Sequence, residues 1–135
     1  MQMKDFTTDK VSSKSGSSQP GEVPSPEGFE KAVRVAFKMK LFPGFEAEYK
    51  KRHDEIWPEL QQLLKQSGIS DYSIFLDEET HSLFGVLNVT DPQNLDKLPQ
   101  YEVMQKWWKY MADIMPSNPD HSPLSRELKE VFHLR

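Results

Sequence analysis

Tyr49 and His53, four residues apart, are the pair in this sequence best spaced for acid/base chemistry. On a helix, residues i and i+4 lie one above the other on a single face. Phe45, Ile56 and Leu60 share that face, so the spacing aims an imidazole at an apolar interior with a phenol one turn away. Pro58 cannot donate to the carbonyl of Asp54, and its ring clashes there. The helix is therefore expected to kink or restart around residues 54–57, just after His53. A helix C-terminus favours the imidazolium and desolvation disfavours it; either way the ring titrates near neutrality, where proton transfer works well. Spacing alone also describes a core histidine bonded to a backbone carbonyl, which is the simpler account of an inward His.

The second cluster is Lys106-Trp107-Trp108-Lys109-Tyr110. Adjacent residues on a helix point about 100° apart, so one tryptophan is expected to pack while the other lines a pocket. Aromatic faces stack on the C–H faces of sugars, and indole N–H groups donate to hydroxyls. Plain packing with a partner interface explains the pair equally well. The other histidines are His81 in a hairpin turn, His121 in a Pro-rich loop and His133 at the end of the last expected strand. None makes the His-x-x-x-His or carboxylate-rich spacing of a metal site. Asp54 and Glu55 diverge on a helix and suit a solvated face. Ser122 has no partnered histidine to make it a nucleophile. No Gly-x-Gly-x-x-Gly, P-loop or Gly-x-Ser-x-Gly motif occurs, so nucleotide cofactors and serine hydrolysis have no support.

Several elements must position these groups. Val33, Val35, Phe37 and Met39 alternate with Arg34, Ala36, Lys38 and Lys40, the pattern of a strand with one apolar face. Pro43-Gly44 ends it. A helix follows from Phe45, with Glu46–Lys50 and Glu48–Arg52 expected as i,i+4 pairs on the wet side, and Gly68 terminates it. Two strands, about Ser70–Leu76 and Ser82–Val89, are joined by the acidic turn Asp77-Glu78-Glu79-Thr80. A second helix is expected from Tyr101 to Met115, with Val103, Trp107, Tyr110, Met111 and Ile114 inward, and a last strand over Glu130–Leu134. The order is βαββαβ, a ferredoxin-like α+β fold with a four-stranded antiparallel sheet and two helices on one face. Tyr72, Ile74 and Leu76 point one way along their strand; Asp71, Ser73 and Phe75 point the other. Neither side is fully polar, which predicts two subunits packed sheet to sheet as a dimeric α+β barrel.

The 135 residues have room for one domain, placed at 31–135. Residues 1–30 are rich in Ser, Pro and Gly, bury little, and are expected to form a disordered N-terminal tail. A transit peptide would be Arg-rich and poor in acids; this segment has no Arg and carries Asp5, Asp9, Glu22 and Glu27. The absence of cysteine removes disulfides and thiolate chemistry and fits a reducing compartment. A net charge of −4 without a long basic run suggests neither nucleic acid nor an anionic membrane as a partner. No apolar run approaches the ~18 residues of a membrane span. A cytoplasmic protein is expected.

The segments Tyr49–Leu60 (YKKRHDEIWPEL), Asp71–Asp77 (DYSIFLD), Gln105–Tyr110 (QKWWKY), Met111–Pro119 (MADIMPSNP) and Leu128–Leu134 (LKEVFHL) together resemble the L-rhamnose mutarotase family. The resemblance runs in order over essentially all of Val33–Arg135. It implies a homodimeric ferredoxin-like barrel that interconverts the α and β anomers of L-rhamnose without metal or cofactor. It further implies that His53 is the acid/base group, that Tyr49 and Tyr72 contact the sugar, and that Trp107 and Trp108 bind its apolar face. In that reading His53 protonates the ring oxygen and recovers the proton on closure, while a tyrosine orients hydroxyls or carries the second proton. Two alternatives stay open: another enzyme on the same small dimeric barrel, such as a monooxygenase or lactone isomerase, or a non-catalytic sugar-binding module.

Overall fold

The computed structural model describes residues 32–135; the expected tail, residues 1–30, lies outside the described residues. Strand β1 is Val33–Lys40, β2 Ile69–Asp77, β3 Ser82–Val89 and β4 Ser125–Leu128. They form one antiparallel sheet in the order β2-β3-β1-β4. Helices α1 (Glu46–Asp54) and α2 (Pro58–Gln66) lie between β1 and β2, and α3 (Gln93–Lys97), a 3₁₀ turn (Leu98–Gln100) and α4 (Glu102–Met111) lie between β3 and β4. This is the expected ferredoxin-like order with both helical connections subdivided. No helix among the described residues is long and apolar enough to cross a membrane.

The alternation in β1 does what its chemistry requires: Val33, Val35, Phe37 and Met39 are buried, and Leu83, Leu87 and Val89 of β3 join them. Leu60 and Leu63 of α2, and Met104, Trp107, Trp108 and Met111 of α4, close the core from the helical side. The break expected at Pro58 is present. Helix α1 stops at Asp54, Trp57 is extended, and Pro58 opens α2 at the position where its missing N–H leaves nothing unpaired. Acidic Glu46 and Glu48 in the first turn of α1, and Lys51 and Arg52 in its last, complement the helix dipole.

Strand β2 carries a bulge. Ile69 and Ser70 pair with Val89 and Asn88, whereas Ser73 and Ile74 pair with Val86 and Gly85, so one extra residue is accommodated at Asp71–Tyr72. Asp71 takes a positive φ of 50° there. The insertion flips the side-chain parity, so Ile69 before it and Ile74 and Leu76 after it can all face the helices.

Three expectations are corrected. The second helix ends at Met111, not Met115. A continued helix would bond the Tyr110 carbonyl to the Ile114 N–H; instead Arg52 Nη1 donates to that carbonyl at 2.7 Å and Ile114 N–H turns to Met111. The last strand is Ser125–Leu128, not Glu130–Leu134. Strands exist through their ladders, and Val131, Phe132 and Leu134 are exposed with no strand beside them among the described residues. Phe45, placed on the inward face, precedes α1 and is partly exposed, as is Tyr110.

Candidate active site

Between the helices and the inner face of the sheet lies a cavity of about 910 Å³. Tyr49, His53, Tyr72, Trp107 and Trp108 all line it, so the structure brings together all five residues expected at the site. They come from three places in the chain: α1 supplies Tyr49 and His53, the bulge of β2 supplies Tyr72, and α4 supplies both tryptophans.

The Tyr49 and His53 rings stack at 4.4 Å between centroids with an interplanar angle of 28°, as one-turn spacing predicts. His53 Nδ1 lies 3.1 Å from the Tyr49 carbonyl oxygen. A carbonyl only accepts, so Nδ1 carries the hydrogen and Nε2 holds the lone pair in the neutral ring. Burial pushes the His53 pKa below its ordinary value; the bond to the Tyr49 carbonyl and the charge of Asp54 oppose the shift without cancelling it. At neutral pH the group is therefore a free base.

The two phenols behave oppositely. Burial raises Tyr49 well above the ordinary phenol range, and Tyr72 lies near enough that charge on one would repel charge on the other. Tyr72 is 39% exposed as a whole residue, but its hydroxyl end sits among dense protein and desolvation raises it too. Ionisation happens at the oxygen, so the surroundings of the hydroxyl set its titration. Both remain O–H donors across the physiological range. That suits orienting sugar hydroxyls and argues against either acting as the second proton carrier.

Trp107 and Trp108 are both 5% exposed and both line the cavity, so the expected division of labour between them does not hold. Trp107 is held from three sides. The His53 ring meets it edge-on at 5.4 Å, Trp57 at 5.1 Å and Tyr110 at 5.7 Å. Trp57 in turn stacks on Tyr110 at 5.6 Å. Trp57 was within reach of sequence reasoning, since an extended residue before a helix-opening proline must pack against whatever faces the break.

The i,i+4 spacing predicts Arg52 only as a solvated partner of Glu48. That pair forms at 2.7 Å, yet the Arg52 side chain is just 10% exposed. It also bonds Asp113 at 2.9 Å and the Tyr110 carbonyl at 2.7 Å, and lies 4.3 Å over the Tyr110 ring. The residue beside His53 thus ties α1 to the end of α4. Hydrogen bonding to Arg52 holds the Asp113 carboxyl below its ordinary range. The expected Glu46–Lys50 pair gives way to Glu46–His81 at 3.0 Å and Lys50–Asp54 at 2.9 Å. Asp54 and Glu55 are solvated, as expected. Among the described residues no group of three or more His, Asp or Glu side chains is placed to hold a metal.

A family model described as L-rhamnose mutarotase matches residues 34–134. An L-rhamnose mutarotase of Agrobacterium fabrum is 62% identical over 99 residues, 73% of this chain and 92% of the relative. One from Brucella anthropi is 59% identical over 101 residues, 75% of this chain and 95% of the relative. The crystal structure of an L-rhamnose mutarotase from Formosa agariphila superposes with a TM-score of 0.71 at 53% identity, covering 76% of this chain and 98% of that one. A conserved protein from Methanosarcina mazei, 16% identical with a TM-score of 0.52, shares the fold alone. The match spans every element that builds the cavity and nearly the whole length of these mutarotases, and on that ground the chain belongs to the L-rhamnose mutarotase family.

Proposed function

We propose that this protein is an isomerase that interconverts the α and β anomers of L-rhamnose, with His53 as its acid/base group. The observation that carries the reading is the half-buried His53 imidazole on the cavity wall, with Nδ1–H committed to the Tyr49 carbonyl and the Nε2 lone pair left for substrate. Mutarotation opens a hemiacetal: the anomeric hydroxyl loses a proton, the C1–ring oxygen bond breaks, and the ring oxygen gains a proton. Rotation about C1–C2 then presents the other carbonyl face, and closure reverses each transfer. Protons balance without a redox step, so the chemistry calls for no metal or cofactor. Because burial keeps His53 neutral at rest, Nε2 first takes the anomeric proton. The imidazolium then protonates the ring oxygen, which is bonded to the same carbon and within reach of the same ring. This places proton removal before the ring-oxygen protonation expected from sequence. Tyr49 and Tyr72 orient hydroxyls as donors. Trp107 and Trp108 meet the C–H face and the 6-methyl group of the sugar.

The test is exchange-sensitive NMR on L-rhamnose. The protein should accelerate anomer exchange, and His53→Ala should lower kcat by about 10²–10⁴-fold while keeping the fold. Full exchange in a folded His53→Ala variant would remove His53 from the mechanism; no acceleration by the unaltered protein would favour a non-catalytic sugar-binding module.

A homodimer is part of the proposal. The open sheet face carries Phe75, 61% exposed, opposite Phe84, with Ala36 and Val86 beside them. A second copy packed on this face would cover it. Sedimentation should give twice the chain mass, and a monomeric active protein would reject it. The cytoplasmic location expected from sequence completes the reading and is checked by fractionation.

A further inference from the structure

Of the polar residues that line the cavity and that the reaction scheme leaves unused, Ser122 is the buried one. Three buried polar residues occur among the described ones, Ser67, Ser82 and Ser122, and of these only Ser122 lines the cavity. Its residue is 4% exposed. It sits in the loop between α4 and β4, which is closed by a bridge between Ser117 and Pro123 and by a bond from Asn118 N–H to the Ser122 carbonyl at 2.7 Å. His121, just before it, takes a φ of 74°, a left-handed conformation uncommon outside glycine. The chain is thus folded tightly around the point where Ser122 meets the cavity.

A hydroxyl has one hydrogen and two lone pairs. The Ser122 hydroxyl donates its hydrogen to Asp120 Oδ1 at 2.6 Å and accepts from Asn118 Nδ2 at 3.0 Å. Asp120 Oδ1 also accepts the Ser122 backbone N–H at 3.0 Å. Both bonds hold the Asp120 carboxyl below its ordinary range, so it is a carboxylate at neutral pH. With its hydrogen committed to a carboxylate, the oxygen cannot donate to a ligand. It keeps one lone pair, and the charge-assisted bond makes that lone pair a stronger acceptor. Sugar hydroxyls that leave water need acceptors, and most of the residues lining this cavity are apolar or aromatic.

We propose that Ser122 is a specificity-determining residue that accepts a hydrogen bond from one ring hydroxyl of the sugar, with Asp120 as the positioning residue that fixes the direction of its hydrogen. The proposal rests on the sugar-binding reading of the cavity. It makes Ser122 blind to a methyl or a hydrogen at that ring position and selective for a hydroxyl. It also gives the Asn118-to-Pro123 loop a role in choosing the substrate rather than in the proton transfers.

The experiment measures anomer exchange of L-rhamnose and of its 2-, 3- and 4-deoxy analogues by the unaltered protein, Ser122→Ala and Asp120→Asn. Removing one hydrogen bond is expected to raise KM for L-rhamnose about tenfold in Ser122→Ala, with kcat within about twofold. Two of the deoxy analogues should show the same rise, and the third, lacking the contacted hydroxyl, should bind both proteins alike. Asp120→Asn keeps an acceptor oxygen but loses the charge, and should show the same substrate pattern at about two- to threefold. A loop with a merely structural role would change all four sugars equally, and that result, or an unchanged KM, overturns the proposal. If Ser122→Ala does not fold, the pattern must appear in Asp120→Asn, and its absence there is equally decisive. If the unaltered protein accelerates none of the sugars, the mutarotase reading fails instead.

Discussion

Gly85 lies directly across the β1–β3 ladder from Phe37. A Cβ built on it would stand 2.5, 2.7 and 2.9 Å from Cζ, Cε2 and Cε1 of the Phe37 ring. Carbon atoms rest about 3.5–4.0 Å apart, so Gly85→Ala obliges the ring to retreat by roughly 1 Å. Phe37 is buried, lines the cavity, and meets Tyr72 edge-on at 6.2 Å. Its retreat therefore crowds the cavity or displaces the phenol proposed to orient the sugar. Overpacking of this kind costs about 1–3 kcal/mol, and the alanine restores about 0.4–1 kcal/mol by restricting the unfolded chain. A net loss of about 0.5–2 kcal/mol remains, or about 4–8 °C in Tm for each kcal/mol in a domain of this size. Thermal unfolding and anomer exchange should show the lower Tm together with a raised KM. The second substitution makes the reasoning testable. Phe37→Leu removes the clashing atoms, so the double variant should be more stable than the two single losses added together, by about 1 kcal/mol. Strict additivity, or a Gly85→Ala variant with unchanged Tm and KM, would refute the steric account.

Two further predictions concern His53 and its neighbour. Because burial lowers the His53 pKa, kcat/KM should hold its plateau below pH 6.5, the ordinary histidine value, and fall only as the pH drops through the folded value. The sign for stability follows: in the window from the unfolded pKa down to the folded one, the unfolded chain binds the extra proton, so stability declines as pH falls there. Urea unfolding of His53→Asn should lack that component. Arg52→Met should lower stability by about 1–2 kcal/mol, near the lower end for charged hydrogen bonds because Glu48 and Asp113 remain solvated. Since it frees α1 from the end of α4, kcat should fall as well. An active variant with unchanged kcat would make Arg52 a purely structural tie.

Much of this could be seen in the sequence where local chemistry decides. The alternation of Val33–Lys40, the break before Pro58 and the Gly68 helix stop all follow from a few residues each. His53 could be placed over Tyr49 because one helical turn is a local distance. What escaped depends on partners far along the chain. The bulge at Asp71–Tyr72 is a one-residue slip visible only against β3. The early end of α4 follows from Arg52 taking the Tyr110 carbonyl, 58 residues away. Ser125–Leu128, with Ser, Arg and Glu, looks less like a strand than Val131–Leu134, yet it is the one aligned with Ala36–Met39. The Ser122 hydroxyl has no partnered histidine in the sequence, and its bonds to Asp120 and Asn118 depend on how the loop closes.

The bulge at Asp71–Tyr72 has an outcome beyond catalysis. Strand β2 is an edge of the sheet, and a regular nine-residue edge with free amides is a template on which another chain can add and begin a fibre. An extra residue bends the edge and offsets its row of donors and acceptors. The irregularity that turns a tyrosine into the cavity thus also makes this edge a poorer template for strand addition along that side.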